Sequence, residues 1–363
     1  MTNKIEVLAN ALPQEVGNTP VDAAVISSAV NRAYFSGFRS SEGTVFITRD
    51  AAYLLVDFRY YEAAKATVKC CEVVLFSSLF DTLSSLIRKH NVNGILLENS
   101  KLTLAGAENF EKIFSRSGSA AIKDKTLDKI IEHMRMIKSD YEIEKIRASQ
   151  EVTEAAFNYI LPKISEGVTE KDLALDIEFF MRKQGAESVA FDLIVVSGKN
   201  SSLPHGVPSD KRVQRGDFIT MDTGAVLDGY HSDMTRTVAL GSVTEEQREI
   251  YNLVLRAQIN GISSIRPGKI SADIDKVVRD TISEMGYGKY FGHGTGHGVG
   301  LEIHESPSCS INSKTTLRPG MVITVEPGIY LPNKFGVRIE DMIAVTQNGC
   351  TNLTNVKKDL LII

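Results

Sequence analysis

Two nine-residue segments of the chain, 104 residues apart, resemble each other and end beside acidic side chains. Residues 216–224 read GDFITMDTG, and residues 320–328 read GMVITVEPG. Each segment runs from a glycine through an apolar, strand-like core to a carboxylate, which is Asp222 in the first copy and Glu326 in the second. Because the two copies share one register, we predict that they deliver both carboxylates to the same place.

A hairpin turn is predicted after the first segment. Asp228-Gly229 between apolar stretches is a strong signal for a two-residue turn. That turn sets Asp222 opposite Thr235 and diagonal to Asp233, on one face of the strands and roughly 7–8 Å apart at the backbone. Two carboxylates at this separation repel each other unless a cation lies between them. The hairpin therefore predicts a cation site.

The second segment returns in a similar way to another acid, Glu340. If Glu326 and Glu340 repeat the arrangement of Asp222 and Asp233, four carboxylates converge. Four acids suit a pair of divalent metal ions better than a single ion. Any one of these acids alone is more typical of a solvated residue beside a turn, so the prediction depends on the shared register.

Four of the seven histidines could supply further ligands or catalytic groups. His293, His297 and His304 lie within twelve residues, and His205 lies in a tight loop, LPHG. Five glycines across residues 292–300 make a helix implausible and lead into an alternating segment, which excludes the helical His-Glu-x-x-His site of zinc proteases. Imidazole combined with carboxylates suits manganese, cobalt, iron or zinc better than calcium.

A second pair of segments indicates an internal duplication. Residues 164–167 (ISEG) precede an amphipathic helical pattern that ends at Gly185, and residues 265–268 (IRPG) precede another that ends at Gly286. Their offset of 101 residues is close to that of the acidic segments. Helix-and-hairpin units repeated in this way predict two similar halves related by a pseudo-twofold axis.

Length and local pattern predict two domains, at residues 1–130 and 131–363. Ser139 and Glu142 fit a capping box that opens the first long helix of the second domain. The first domain alternates short strands with helical patterns, which predicts an α/β fold. Its predicted strands are 23–26, 44–48, 52–56, 71–75 and 94–97, its predicted helix is 79–90, and its aromatic stretches 34–38 and 57–61 are predicted to pack in the core.

Composition is that of an ordinary globular protein, with 43% apolar and 24% charged residues. A net charge of −4 gives no electrostatic reason to expect nucleic-acid or membrane binding. No apolar run approaches the ~20 residues of a membrane span, and the first twelve residues do not form a secretory signal. The four cysteines form no CxxC motif, so we expect reduced thiols and a cytoplasmic protein.

The predicted ligand set resembles that of the pita-bread metallopeptidases, which include methionine aminopeptidases, aminopeptidase P and prolidase. The surrounding motifs SDMTRT, HGTGH, VEPGIY and VRIED match as well, and the first domain is similar to that of the Xaa-Pro branch. The resemblance implies an α+β fold, in which an N-terminal α/β domain precedes a duplicated pita-bread catalytic domain with a curved antiparallel sheet covered by helices.

The resemblance also implies a role for each ligand. Asp233 and Glu340 would bridge two divalent ions, of which Mn²⁺ is expected first and Co²⁺, Zn²⁺ or Fe²⁺ are alternatives. Asp222 would hold one ion in a bidentate manner. His297 and Glu326 would hold the other ion.

The same resemblance assigns residues to the substrate. His205 and His304 would flank the scissile peptide bond, and His293 and Phe191 would line the pocket for proline. Arg338 would orient a bridging carboxylate or bind the substrate. The expected substrates are small peptides with proline at the second position, and a homodimer is expected because relatives are commonly dimers.

The activity that this family implies is hydrolysis of the N-terminal Xaa-Pro bond by a hydroxide that bridges the two metals. The bond has no N–H, so its leaving nitrogen needs a proton, which His205 would assist, while Glu326 moves the proton of water and His304 stabilises the oxyanion. We expect an Xaa-Pro aminopeptidase, with a prolidase restricted to dipeptides as the alternative. A non-catalytic pita-bread binding module is disfavoured, because such a module is expected to have lost ligands.

Overall fold

The computed structural model describes residues 3–363 and divides the chain into two compact units, Met1–Met134 and Arg135–Ile363. Each unit has its own hydrophobic core. Over residues 3–363, no helix has both the length and the apolar character required to cross a lipid bilayer.

The first unit is built on a mixed six-stranded sheet with the order β6-β5-β4-β3-β7-β8. A short pair, β1 (Glu15–Val16) and β2 (Thr19–Pro20), precedes it. Strands β3 to β8 are Ala23–Ile26, Thr44–Thr48, Ala52–Val56, Glu72–Leu75, Gly94–Leu97 and Ala120–Ile122. Helices α1 to α6 are Lys4–Ala11, Ala29–Ser36, Phe58–Thr67, Leu79–Lys89, Leu104–Arg116 and Thr126–Met136. The predicted α/β character of this part of the chain is present.

The two aromatic stretches of this unit behave differently. Tyr34 and Phe35 on α2 are buried, as predicted. The prediction was wrong for the second stretch, because Phe58 at the start of α3 is 80% exposed. Asp57 accepts a hydrogen bond from the amide of Arg59 and caps this helix. Residues 57–59 therefore form the start of a helix instead of packing in the core.

The second unit contains four α-helices and thirteen strands, and the strands are all paired antiparallel within its sheets. Helices α7 to α10 are Asp140–Ile160, Glu170–Lys183, Glu245–Ser264 and Ser271–Glu284. Strands β9 to β21 are Ser188–Val189, Ile194–Ser197, Phe218–Thr223, Ala225–Leu227, Tyr230–His231, Met234–Ala239, Gly296–Gly298, Glu305–Cys309, Val322–Val325, Gly328–Leu331, Phe335–Arg338, Asp341–Val345 and Cys350–Asn352. The strands are divided among four sheets: β10-β11-β14, β13-β12-β9, β16-β15-β17-β20-β21 and β18-β19.

The two halves of this unit repeat each other in detail. The predicted capping box of Ser139 and Glu142 opens α7, and Thr244 with Gln247 forms the same box at the start of α9. Three pairs of glycines have positive φ at matching places: Gly167 (90°) and Gly268 (87°), Gly185 (98°) and Gly286 (82°), and Gly216 (89°) and Gly320 (90°). A left-handed backbone conformation favours glycine, and glycine is found at these places in both halves. These pairs support the predicted duplication.

Helix α8 packs against one face of strand β11, and the acidic side chain of this strand lies on the opposite face. Ile219 and Met221 on β11 pack in one core with Leu173 and Ile177 of α8. Side chains alternate along a strand. The side chain of Asp222 therefore points away from α8.

The first hairpin has the predicted register. Asp228 (φ 50°) and Gly229 (φ 78°) both have positive φ, as a two-residue type I′ turn requires. Asp222 pairs with Thr235, as predicted. Continuing that register sets Asp233 opposite Gly224.

The second hairpin differs in its turn, and its register corrects one expectation. Leu331 pairs with Phe335, which leaves a three-residue loop. Val325 pairs with Asp341, so the continued register sets Glu326 opposite Glu340. Glu340 therefore does not repeat the position of Asp233 in the first hairpin.

The residue that matches Asp233 is a cation. Arg338 pairs with Gly328, just as Asp233 lies opposite Gly224. Glu340 in turn matches Thr235, which pairs with Asp222. The two halves thus share a backbone register but carry different side chains at the matching positions.

Candidate metal centre

Three predicted ligands from three separate parts of the chain form a compact cluster. Each of Asp233, His297 and Glu340 offers a ligand atom within 4.8 Å of those of the other two. His297 Nε2 lies 3.5 Å from Asp233 Oδ2. Asp233 and Glu340 are only 4% and 1% exposed. This cluster is the centre of the site.

The other two predicted ligands adjoin the cluster. Glu326 Oε1 lies 3.4 Å from His297 Nε2. Asp222 Oδ2 accepts a hydrogen bond of 2.7 Å from Arg338 Nη2, and its negative charge acts on Asp233 and Glu340. The structure therefore brings all five side chains together.

Burial and mutual repulsion raise the pKa values of three of these carboxyl groups. Burial raises the pKa of the Asp233 carboxyl well above its ordinary value, and the charges of Glu340 and Asp222 raise it further. Burial likewise raises the pKa of Glu340 well above its ordinary value. It raises the pKa of Glu326 to about 8 against the opposing charge of Arg338. Divalent cations would relieve this repulsion.

The donor atoms fit divalent metal ions. Asp222 Oδ1 and Glu340 Oε1 are buried carboxylate oxygens with no hydrogen-bond partner among the described residues. His297 Nδ1 lies 3.2 Å from the Gly298 carbonyl oxygen and so carries its proton there, which leaves Nε2 facing the acids. Burial lowers the pKa of His297 to about 4, so the imidazole is neutral, as a ligand must be.

Arg338 holds Asp222 within a buried network. Its Nε donates to Thr235 Oγ1 (3.0 Å), and its Nη1 donates to Tyr330 Oη (2.8 Å) and to the Pro204 carbonyl oxygen (3.1 Å). With Nη2 on Asp222, every nitrogen of the guanidinium is bonded to protein. This geometry favours an orienting role for Arg338 over direct binding of substrate.

Two members of this network were not predicted from the sequence. Thr235 Oγ1 donates to Glu340 Oε2 (2.7 Å) while it accepts from Arg338, so one hydroxyl positions a ligand of the other half. Tyr330 joins Arg338 to His293. Thr235 was already placed opposite Asp222 by the hairpin turn, and this was the signal that could have identified it.

His293 is fixed as a neutral imidazole. Its Nδ1 lies 2.8 Å from the Gly294 carbonyl oxygen, so the proton is on Nδ1. Its Nε2, 2.9 Å away, then accepts from Tyr330 Oη. Burial, together with the nearby charge of Arg338, lowers the pKa of His293 to about 4.

The remaining predicted site residues lie around the cluster. The His304 ring stands edge-on to that of His297, with 4.3 Å between ring centroids. His205 is exposed and follows Pro204, whose carbonyl oxygen accepts from Arg338. Phe191 lies against the first hairpin, so close that a Cβ on Gly224 would come within 3.0 Å of its ring. The roles of these side chains remain predictions.

The glycine-rich segment differs from its predicted form. Only Gly296–Gly298 is strand, and the chain bends from residue 300 to 304 instead of continuing the predicted alternation. A Cβ on Gly296 would come within 2.0 Å of the Thr324 carbonyl oxygen, and one on Gly298 within 2.4 Å of the Ser306 carbonyl oxygen. The glycines therefore let β15 pack closely between β16 and β17. His297 lies between Gly296 and Gly298 on this strand.

Comparison with protein families gives two matches. Residues 144–347 match the model of Metallopeptidase family M24, and residues 10–137 match the Creatinase/Prolidase N-terminal domain. Together the two matches cover most of the chain.

Comparison with individual proteins gives close relatives over nearly the full length. The chain is 41% identical to an Xaa-Pro dipeptidase of Pyrococcus furiosus over 343 residues, which cover 94% of this chain and 95% of the relative. The structure of an Xaa-Pro dipeptidase from Bacillus anthracis superposes with a TM-score of 0.94 at 40% identity, covering 99% of both chains. An X-Pro aminopeptidase from Thermotoga maritima MSB8 superposes with a TM-score of 0.88 at 38% identity, covering 94% and 97%. The predicted fold class is confirmed by these matches.

Proposed function

The chain belongs to the M24 metallopeptidase family, and we propose that it is an Xaa-Pro dipeptidase. The order of the two candidates is therefore reversed from that expected from the sequence, because dipeptidases match at 41% and 40% identity. An Xaa-Pro aminopeptidase is the second candidate, favoured by the likeness to the Thermotoga maritima enzyme. The observation that carries the proposal is the convergence of five ligand side chains in a chain with these relatives.

The acids and the imidazole would hold two divalent ions. Asp222 would bind one ion, His297 and Glu326 the other, and Asp233 and Glu340 would contact both. When bound, the ions lower the pKa of a water molecule and polarise the scissile carbonyl group. We propose Mn²⁺ as the native ion, with Co²⁺, Zn²⁺ and Fe²⁺ as alternatives, because the mixed nitrogen and oxygen set suits these metals.

The chain's own groups would handle the protons. Glu326, whose carboxylate lies 3.4 Å from His297 Nε2, would accept a proton from the water molecule and return it. His205, exposed on its loop, would protonate the proline nitrogen, which has no hydrogen of its own. His304, whose ring is next to that of His297, would donate to the carbonyl oxygen as charge develops there.

The proline ring would occupy an aromatic pocket. His293 is neutral and held by Tyr330, so it offers a flat, uncharged surface to an apolar ring. Phe191 lies against Gly224, beside the hairpin that carries two of the ligands. The loss of either ring should weaken proline selectivity more than it weakens metal binding.

Substrate length separates the two candidates. We expect the protein with Mn²⁺ to cleave an Xaa-Pro dipeptide with a kcat/KM at least about tenfold above that for an Xaa-Pro-Xaa tripeptide, a difference of about 1.4 kcal/mol in transition-state binding. A Met-Ala dipeptide is the control for proline selectivity and should be cleaved poorly. Equal or faster cleavage of the tripeptide would support the aminopeptidase instead, and no cleavage of either proline peptide would contradict both.

The stability of the metal-free protein should depend on pH in a defined direction. Asp233, Glu326 and Glu340 have raised pKa values in the folded state. Above the ordinary carboxyl pKa of about 4, the folded state therefore binds more protons than the unfolded state, and the free energy of unfolding falls as pH rises from about 5 to 8. Thermal unfolding after chelation measures this loss, which added Mn²⁺ should reverse.

A variant isolates the contribution of Glu326, because other groups, including the histidines with lowered pKa, also titrate in this interval. In Glu326→Gln this titration is absent, so the metal-free melting temperature should fall less steeply with pH than in wild type. Parallel curves for the two proteins would contradict the raised pKa of Glu326.

Three further properties stay proposals. We propose that the chain forms a homodimer, that it acts in the cytoplasm and that its partners are small peptides with proline at the second position, without nucleic acid or membrane. Light scattering coupled to gel filtration tests the dimer directly. The non-catalytic binding module stays disfavoured, because all five ligand side chains are in place.

A further inference from the structure

One buried carboxylate joins the two ends of the segment that carries His205. We call residues 197–209 the His205 loop. Glu170, the first residue of α8, is completely buried. Ser197 at one end of the loop donates its amide (2.6 Å) and its hydroxyl (3.0 Å) to Glu170 Oε1. Ser209 at the other end donates its amide (3.1 Å) and its hydroxyl (2.7 Å) to Oε2.

Further donors complete the surroundings of this carboxylate. Asn200 Nδ2 lies 3.2 Å from each oxygen of Glu170. Lys211 Nζ, which pairs with Asp217 (2.7 Å), donates to Ser197 Oγ (2.8 Å) and so holds one of the donors to the acid. Hydrogen bonds to an ionised group are stronger than neutral ones, and a buried donor left without a partner is costly. The carboxylate therefore fixes the loop ends in one geometry.

The middle of the His205 loop is attached to the strand that carries Arg338. Ser201 Oγ accepts from the amide of Gly336 (2.9 Å), and the Pro204 carbonyl oxygen accepts from Arg338 Nη1 (3.1 Å). Arg338 in turn donates to Asp222. A shift of the loop would therefore move His205, while Arg338 keeps its bonds to Asp222, Thr235 and Tyr330 outside the loop.

The other half of the unit anchors its histidine segment in a similar way. Asp275 on α10 accepts from the amide and the hydroxyl of Thr295, both at 3.0 Å. Arg279, paired with Asp275, donates to the carbonyl oxygens of Phe291 (3.0 Å) and His293 (2.8 Å). In each half, a helix carboxylate holds the segment that bears a site histidine.

We propose that Glu170 is a positioning residue for the peptidase reaction, which holds the His205 loop so that His205 reaches the leaving nitrogen of the substrate. The inference rests on the proposed function. Glu170 contacts none of the five ligand side chains through the hydrogen bonds described above. Its loss should therefore lower kcat while metal content and KM change little.

The first test is Glu170→Gln, which keeps the size of the side chain but turns an amide group toward the loop donors. We expect kcat to fall about 10- to 100-fold, the range typical of residues that orient a catalytic group from outside. Glu178→Gln on the exposed side of the same helix is the control and should keep wild-type kcat. A kcat for Glu170→Gln within about twofold of wild type would overturn the proposal.

A milder pair of variants applies if Glu170→Gln fails to fold. Ser209→Ala removes one hydroxyl that bonds to Glu170, whereas Ser202→Ala removes a hydroxyl that donates to the Lys199 carbonyl oxygen of the same loop. We expect a several-fold lower kcat for the first and no change for the second. Equal values for the two would overturn the proposal.

Two readouts distinguish positioning from a general loss of structure. In a His205→Ala background, Glu170→Gln should cost little further activity, because its effect acts through the missing imidazole; an undiminished loss would contradict the proposal. Hydrogen exchange of residues 197–209 should rise in Glu170→Gln, and this readout needs no activity. It therefore still tests the anchor if the wild-type protein cleaves neither Xaa-Pro substrate, a result that would reject the proposed function alone.

Discussion

Replacing Asp233 with asparagine is expected to abolish activity, with kcat/KM reduced by about 1,000-fold or more, beyond the 10- to 100-fold typical of residues outside the ligand set. Asp233 is buried and lies 3.5 Å from His297 Nε2 at the centre of the cluster. The neutral amide cannot balance two cations, so the number of bound ions should fall as well. Steady-state kinetics and metal analysis of the purified variant measure both effects.

Asp228→Asn is the matched control for this substitution. Asp228 lies in the turn of the same hairpin, where its side chain is mostly exposed and paired with Lys145. Asparagine tolerates the positive φ found there. The control should keep full metal content and activity. A fully active Asp233→Asn variant with two bound ions would contradict the assignment of Asp233 as a ligand.

Arg338→Lys should lower kcat/KM by about 100-fold although the charge is retained. The guanidinium bonds at once to Asp222, Thr235, Tyr330 and Pro204. An ammonium group is a point charge and cannot reproduce this fork of donors. Asp222 would then lose its orientation, and the metal that it holds would bind more weakly. Titration of metal-free protein with Mn²⁺, followed by kinetics, measures the two changes.

Arg182→Lys controls for the exchange itself, since Arg182 pairs with Glu178 on the exposed surface of α8. It should leave both quantities unchanged. Wild-type metal affinity and kcat/KM in Arg338→Lys would show that the buried network does not orient Asp222.

Most strands of the first unit were predictable from the sequence. The predicted limits are found for Ala23–Ile26, Thr44–Thr48, Ala52–Val56 and Gly94–Leu97, because a mostly apolar run of four or five residues between turn signals is typical of a buried strand. Ala120–Ile122 was not predicted, since three residues with one exposed end carry little pattern. Phe58 was predicted in the core because residue type alone does not reveal that a position begins a helix.

In the candidate site, local register was predictable and contacts between the halves were not. The Asp228-Gly229 turn was sufficient to place Asp222 opposite Thr235. The hydrogen bond from Thr235 to Glu340 spans 105 residues, and no local pattern encodes it. The expectation that Glu340 repeats Asp233 failed because Glu340 lies two residues beyond the position that matches Asp233, which Arg338 occupies.

The match between Asp233 and Arg338 has a consequence for how this centre could have arisen. Equivalent places in the two halves now bear opposite charge. Two copies of the first half would crowd aspartates together without an internal counter-ion, and two copies of the second would bring two guanidinium groups to the same spot. A single chain that carries both copies can hold an aspartate at one of these places and an arginine at the other. The charge balance of the centre therefore depends on the two halves being different.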